Sequence, residues 1–295
     1  MKPILRKIDV NQNHSFLVEE ETRPYFDERW FYHPEIELAH IRRGNGMRFI
    51  GDSVGRFSDG ELILLGANLP HMWRCDDAYH QGDPEVNIQV MVVQFREDFW
   101  GPAFLNLPEM MDIRDLLEKV KRGIRIDGAT KAKVLERMDA MLHAKGAERL
   151  EHLISILNAI ATSDEYEVLS SVGFTKSYDH KNSDRINQIY NYTLNNFQNP
   201  ISLKDVAAAV NINPHSFCRY FKASTFKTYW DFLLEVRVGY ACKLLIENRM
   251  NVSQICYACG FNTLSNFNRQ FKSITGKTPV QYMNEYNPGK KRAGR

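Results

Sequence analysis

The sequence lacks any long run of apolar residues. Across its 295 residues, no stretch approaches the roughly 18–20 consecutive apolar positions that a membrane-spanning helix needs. The first ten residues carry charges at Lys2, Arg6, Lys7 and Asp9, but they lack the apolar segment of a signal peptide. These two absences predict a cytoplasmic protein that has no membrane partner.

Cysteine is scarce, and its spacing forms no framework. The chain has 5 cysteines, an odd number that is typical of a reducing compartment. Cys256 and Cys259 have the spacing of a redox pair or half of a zinc site, but no second Cys/His pair follows at zinc spacing. We therefore interpret these two cysteines as small packing residues and predict no metal.

Familiar catalytic motifs are also missing. The sequence contains no nucleophile elbow, no phosphate-binding P-loop and no Rossmann glycine pattern. These absences favour a protein that is not an enzyme and that needs no cofactor.

The charge is small overall but unevenly spread. The net charge is +2, yet residues 184–295 hold 15 basic and 6 acidic side chains, whereas residues 1–183 hold 23 basic and 30 acidic ones. A basic half is typical of nucleic-acid binding, although charge alone would fit a merely basic surface equally well.

The first hundred residues have the pattern of short strands. Residues 37–41, 61–65 and 87–95 are β-prone, and glycines punctuate the segments between them. Many short strands with regular turn signals predict a sandwich or a barrel.

Three apolar stripes with helical spacing follow, starting at Ile113, Val134 and Leu150. They would either pack on the strands or pair two subunits. The polar segment 175–183 has no such period, and it is predicted to be a linker between domains.

After the linker, one arrangement occurs twice. Residues 203–210 and 252–259 each predict a short helix, followed by a turn and by a longer helix that starts near Pro214 or Thr263. This is the helix-turn-helix layout. Between the repeats, residues 228–248 form an amphipathic stretch that would reach about 30 Å as a helix. That length is close to one turn of B-DNA, about 34 Å.

The residues from Gly260 to Tyr282, with their Gly-Phe, Phe-Lys, Gly and Pro pattern, resemble the AraC/XylS family of transcription regulators. The resemblance covers about residues 186–286. It implies a double-stranded DNA partner, a homodimer, and contact with RNA polymerase if the protein is an activator, as many relatives are.

Matched by position, the family's groove-facing residues fall on the second helix of each repeat. Arginine can bond guanine, asparagine can bond adenine, and apolar groups can touch a thymine methyl, whereas lysines, including Lys227 and Lys277, fit phosphate better. The arginines could instead contact phosphate or form ion pairs within the domain. The DNA-binding residues that the resemblance implies are His215, Ser216, Cys218, Arg219, Lys222, Leu264, Ser265, Asn268, Arg269 and Lys272.

The front half resembles the cupin-like sensor domain of the same family, through residues 33–38, 44–46 and 60–71. Metal-binding cupins use three histidines and a glutamate, and here Phe31 takes the position of the first histidine, so we predict no metal. The resemblance implies a pocket for a small effector, a sugar or a related metabolite. The residues expected in that pocket are Trp30, Phe31, His33, Glu37, His71 and Trp73. Simple core aromatics are the alternative for these rings.

The predicted fold is α+β. Residues 1–105 form a cupin-like β-barrel, 106–174 a helical connector or dimerisation segment, 175–183 a linker, 184–289 an all-α domain of two helix-turn-helix units joined by a long helix, and 290–295 a basic tail. For the N-terminal half, a metal-dependent cupin enzyme and a ligand-free dimerisation module stay open as alternatives.

Overall fold

The computed structural model describes residues 4–5, 14–171, 183–225 and 227–286. The contacts divide the chain into two compact units, Met1–Ser53 with Phe57–His180, and Val54–Arg56 with Lys181–Arg295. The basic tail at 290–295 lies outside the described residues, and so does the predicted linker except for Ser183, which begins a helix.

The N-terminal unit contains two β-sheets, which confirms the prediction of a strand-rich front half. The five-stranded sheet has the order β1-β3-β8-β5-β6, and the six-stranded sheet has the order β11-β10-β7-β4-β9-β2. The strands are β1 (Ile4–Leu5), β2 (Phe16–Arg23), β3 (Phe31–Tyr32), β4 (Glu35–Arg43), β5 (Gly46–Ile50), β6 (Ser53–Phe57), β7 (Glu61–Leu65), β8 (His71–Cys75), β9 (Ile88–Arg96), β10 (Ile124–Ile126) and β11 (Tyr166–Val168).

Strand β4 shows why the six-stranded sheet is covered on both faces. Side chains alternate along a strand, so neighbouring residues belong to different cores. Ile36 and Leu38 belong to a core shared with helices, whereas Ile41 belongs to a core shared with the five-stranded sheet. Because both faces are covered, burial along β4 is nearly continuous from Glu35 to Ile41 and does not alternate between buried and exposed residues.

Three helices cover the outer face of the six-stranded sheet. They are α1 (Met111–Val120), α2 (Gly128–His143) and α3 (Ala147–Ala161). Their stripes, with Leu117, Met138 and Leu157 among them, are buried in one core with the sheet. The stripes therefore pack on the strands within one chain.

The same segment contains two strands that the periodicity did not predict. The three residues of β10 pair with β7, and β11 pairs in turn with β10. Each is 3 residues long, too short to show a period of its own. The segment predicted as a helical connector therefore also extends the sheet.

In the described residues of the C-terminal unit from Ser183 onward, all regular elements are helices, as predicted. The helices are α4 (Ser183–Asn196), α5 (Leu203–Ala209), α6 (Pro214–Thr225), α7 (Tyr229–Glu247), α8 (Val252–Ala258), α9 (Leu264–Thr275) and α10 (Pro279–Tyr286). Thr228 caps the start of helix α7, and Asn248, in a left-handed conformation, caps its end, so the limits of α7 match the predicted long helix.

The cysteines of this unit confirm the packing interpretation. Cys256 and Cys259 are fully buried and form no disulfide bond. Burial raises the pKa of both thiols, which keeps them in the neutral form. In the described part of the chain, no helix combines the length and the apolar character that crossing a membrane requires.

Candidate nucleic-acid interface

Both short helices of the repeats begin with the same capping arrangement. Ser202 accepts a hydrogen bond from the Asp205 backbone N–H, and the Asp205 carboxylate accepts one in return from the Ser202 N–H. Asn251 and Gln254 form the equivalent box before α8. Such boxes pair N–H groups that a helix start would otherwise leave exposed, and they fix where α5 and α8 begin.

The turns of the two repeats also share their geometry. Asn211 and Gly260 both adopt positive φ, 54° and 80° respectively. Glycine and asparagine tolerate this left-handed region better than other residues. In each turn the next residue donates its N–H to a carbonyl of the short helix: Ile212 to Ala207 at 2.9 Å, and Phe261 to Cys256 at 3.1 Å.

The longer helices α6 and α9 each have one buried and one exposed face. Phe217 and Phe221 anchor α6 in the core, and Phe267 and Phe271 anchor α9. The ten sequence-predicted DNA-binding residues all lie on these helices; nine of them are exposed, and Ser216 is partly buried. The structure therefore places this set on two outward-facing helix surfaces.

The arginines of these surfaces have no carboxylate partners within the described structure. Arg219 and Arg269 take part in no ion pair there, so the described residues give no support to the alternative that they serve as partners within the domain. Arg269 Nη2 instead donates a hydrogen bond to Asn266 Oδ1 on the same helix, at 3.3 Å. Lys222 and Lys272 are likewise exposed. The guanidinium and ammonium groups are thus available to an external anion or base.

Two other lysines behave differently, although sequence position predicted phosphate contacts for them. Lys227 forms an ion pair with Glu235 at 2.8 Å, and Lys277 forms the equivalent pair with Glu285. Both pairs span eight residues at the same place in each repeat. Their charges are therefore compensated within the unit.

A junction around Arg237 connects the segment that follows α4 to the turn of the second repeat. Arg237 of α7 donates one hydrogen bond to the Phe197 carbonyl at 2.8 Å and another to the Asn199 carbonyl at 3.0 Å. Its guanidinium also lies 5.9 Å from the centre of the Phe261 ring. Gly260 lies so close that a Cβ there would stand 2.6 Å from the Phe197 carbonyl oxygen. These contacts fix the second turn against the segment that follows α4.

Most of the residues predicted for an effector pocket lie together in the N-terminal unit. The His71 ring is 4.4 Å from that of Phe31, 5.1 Å from that of His33 and 5.2 Å from that of Trp73, measured between ring centres. Glu37 lies beside His33. Trp30, the sixth, is buried.

His33, Glu37 and His71 could together hold a metal ion, since their ligand atoms lie within 4.8 Å of one another. His33 Nδ1 is 3.0 Å from the Glu35 carbonyl, and its Nε2 is 3.1 Å from Glu37 Oε2. Burial raises the pKa of Glu37, but the hydrogen bond and the charge of His33, the charge of His71 and the Gln94 amide outweigh burial and lower that pKa to about 2. The carboxylate is therefore ionised at neutral pH.

A cavity of about 330 Å³ lies between the two sheets. Phe31, Glu37 and Trp73 line it, whereas His33, His71 and Trp30 do not. The sequence prediction missed Gln94, an inward-facing polar residue of β9. Alternation along the strand places Gln94 on the same face as Val90, so its position was a usable signal.

Comparison with known proteins supports the assignment of the C-terminal unit. Residues 206–285 match a protein-family model described as a helix-turn-helix domain. The chain is 31% identical over 113 residues to the uncharacterized HTH-type transcriptional regulator YdeC of Bacillus subtilis (strain 168), covering 37% of this chain and 39% of that protein. It is 34% identical over 91 residues to an uncharacterized HTH-type transcriptional regulator in the cgkA 5′ region of Pseudoalteromonas carrageenovora, covering 31% of this chain and 54% of that protein.

Among solved structures, a transcriptional regulator from Chromobacterium violaceum, described as having an AraC-type DNA-binding domain, is 22% identical, with a TM-score of 0.35 over 38% of this chain and 99% of that chain. The matches to the two curated relatives named above cover less than two thirds of the length of either relative. Residues 206–285 form a helix-turn-helix domain, and the class of protein that this domain indicates is the DNA-binding transcription regulators.

Proposed function

We propose that the whole chain is a sequence-specific transcription regulator of the AraC/XylS type, which binds double-stranded DNA in the cytoplasm. The observation that carries this proposal is the duplication of an exposed helix in a basic unit. Both α6 and α9 are anchored by phenylalanines on one face, and both present an arginine with no carboxylate partner in the described structure on the other. A helix anchored in this way can enter the major groove.

Within the interface, the residues divide between two kinds of contact. Arg219, Arg269 and Asn268 have side chains that can hydrogen-bond base edges, which gives specificity. Lys222 and Lys272 are suited to phosphate, which gives affinity and orientation. The remaining members complete the groove-facing surface of the two helices: His215, Ser216, Cys218, Leu264 and Ser265.

The N-terminal unit is proposed to be a cupin-like sensor domain that binds a small effector in the cavity between its sheets. Effector binding would then alter how two subunits of a homodimer present their DNA-binding units, or how an activator meets RNA polymerase. The cavity supports a sensor over a ligand-free dimerisation module, because it is concave, combines aromatic and aliphatic walls with polar groups, and contains a buried carboxylate. The metal-dependent enzyme has less support, because the histidines lie outside the cavity lining.

Salt dependence tests the DNA-binding part of the proposal. We expect the affinity of the full chain for duplex DNA to fall steeply as salt rises, because phosphate contacts release bound counterions. Each lysine that contacts phosphate contributes a slope of about 0.9 in a plot of log affinity against log salt concentration. Fluorescence anisotropy with a labelled duplex measures both quantities.

Lys272→Ala is expected to lower that slope by about 1. Lys145→Ala removes an exposed lysine from the N-terminal unit and serves as the control, which should leave the slope unchanged. A slope near zero for the unaltered chain, or equal slopes for the chain and the Lys272→Ala variant, would count against phosphate contact by α9.

A further inference from the structure

The cavity between the sheets has a floor made of regular rows of side chains. In the register of the six-stranded sheet, Gln94 of β9 pairs with Glu37 of β4. In the next row, Val92 lies between Glu19 of β2 and Ala39 of β4. All five side chains line the cavity. Two carboxylates, from strands on either side of β9, therefore face the same space.

Glu37 supplies a buried carboxylate at this floor. The residue is 5% exposed, and the hydrogen bonds that it accepts from the His33 ring and the Gln94 amide both end on Oε2. Its other oxygen, Oε1, keeps its capacity to accept hydrogen bonds from a ligand. A buried carboxylate that faces a cavity favours a ligand group that donates hydrogen bonds or carries positive charge.

The rest of the lining adds more negative than positive charge. Glu21 pairs with Arg23, and Asp27 pairs with Arg29, so these two carboxylates are compensated. Glu19 forms no ion pair with any described residue. Among the described lining residues there is no lysine, and the one arginine is already paired, so a ligand carboxylate or phosphate would meet repulsion from them without a compensating partner.

The walls opposite this floor are aromatic. Phe26 and Trp73 lie 5.8 Å apart between ring centres, and Phe31 lines the cavity beside them. The faces of aromatic rings attract cations, and their area favours an apolar ligand body. A carboxylate combined with aromatic walls is an arrangement that suits organic ammonium compounds.

We propose that this cavity binds a small organic cation, with its ammonium group against Glu37 and its apolar body against Trp73 and Phe31. The proposal rests on the sensing role given above and names the chemical class of the effector. The cavity volume of about 330 Å³ suits a small ligand, since pockets for small molecules measure about 300–1,000 Å³. A metal ion is less suited to the cavity itself, because His33 and His71 are not among its lining residues.

Three probes that share one carbon skeleton separate the effect of ligand charge on binding from the effect of ligand shape. Cyclohexylmethylamine (an ammonium ion at neutral pH), cyclohexylmethanol and cyclohexanecarboxylate are titrated into the full chain after treatment with a chelator, and thermal unfolding reports binding. The amine is expected to bind about tenfold more tightly than the alcohol, because its hydrogen bond to the carboxylate is charge-assisted. The carboxylate is expected to give no stabilisation.

Substitutions of single glutamates identify the carboxylate that is responsible for the preference for the amine. Glu37→Gln is expected to bring the amine and the alcohol to within about twofold of each other, because the variant keeps the shape but loses the charge. Glu20→Gln is the matched control, because Glu20 projects from the opposite face of β2 and pairs with Arg42. If Glu37→Gln fails to fold, Glu19→Gln at the exposed edge of the cavity is expected to weaken amine binding by about threefold, with no change for the alcohol.

Several outcomes would overturn the proposal. They are equal binding of alcohol and amine, preference for the carboxylate, stabilisation by Zn²⁺ alone, and no response to any probe. DNA binding by the same preparation is measured in parallel. Specific DNA binding together with any of these outcomes would reject the ligand class alone, whereas loss of specific DNA binding would reject the proposed function itself.

Discussion

Gly260→Ala is expected to destabilise the C-terminal unit by about 2–4 kcal/mol, because backbone strain and a steric clash add together. Gly260 has φ of 80°, a conformation that alanine adopts only at a cost. An added Cβ would also stand 2.6 Å from the Phe197 carbonyl oxygen and 3.0 Å from Arg237 Nε. Neither group can move freely, since the two are hydrogen-bonded to each other. Hydrogen exchange of the α8 and α9 amides measures this loss of stability. We expect the exchange of these amides to become roughly 30-fold faster or more.

Gly276→Ala provides a matched control. Gly276 ends α9 with φ of 74°, and an added Cβ there would meet no atom of the described residues within 4 Å. The variant therefore isolates the conformational cost, about 1 kcal/mol, from the steric one. Equal destabilisation by the two substitutions would contradict the close approach of the second turn to the segment after α4.

Arg269→Ala is expected to cost about 1–3 kcal/mol of binding free energy on the preferred DNA site and to relax specificity at one base pair. The guanidinium is exposed on α9 and has no carboxylate partner in the described part of the unit, so a guanine can take up its hydrogen bonds. Measuring the affinity of the full chain for the preferred site and for each single base-pair substitution gives the specificity profile.

Lys272→Ala is the control for this prediction, because it removes a cation from the same helix at a position suited to phosphate. It is expected to weaken binding to all sequences by a similar factor. If Arg269→Ala also lowered every affinity alike, with a smaller salt slope and unchanged discrimination, Arg269 would be a phosphate contact and the base-reading role would be wrong.

The helices of the C-terminal unit were predictable because their signals are local. Pro214 marks the start of α6, and Thr263 caps α9, each within a residue of the predicted limit. The capping boxes and the turns involve residues only a few positions apart, so a single sequence contains all of their partners. The repetition of the pattern strengthened each assignment.

The junction and the cavity depend instead on contacts between distant residues. Arg237 meets carbonyl groups about 40 positions away, and nothing near it in sequence indicates that partner. The cavity takes Glu19 and Gln94 from strands whose register is fixed only by pairing in the sheet. The pattern of alternation assigns such residues to one face of the sheet. Only the structure shows which residues lie across the cavity from that face.

The central claim, that two helix-turn-helix units act together on DNA, is tested most directly by selecting bound sequences from a random pool of duplexes with the full chain. We expect the enriched sequences to contain two conserved blocks about one helical turn, or about 10 base pairs, apart, since α6 and α9 would occupy successive major grooves. Enrichment of a single block, or of no sequence at all, would contradict the claim that both helices read DNA.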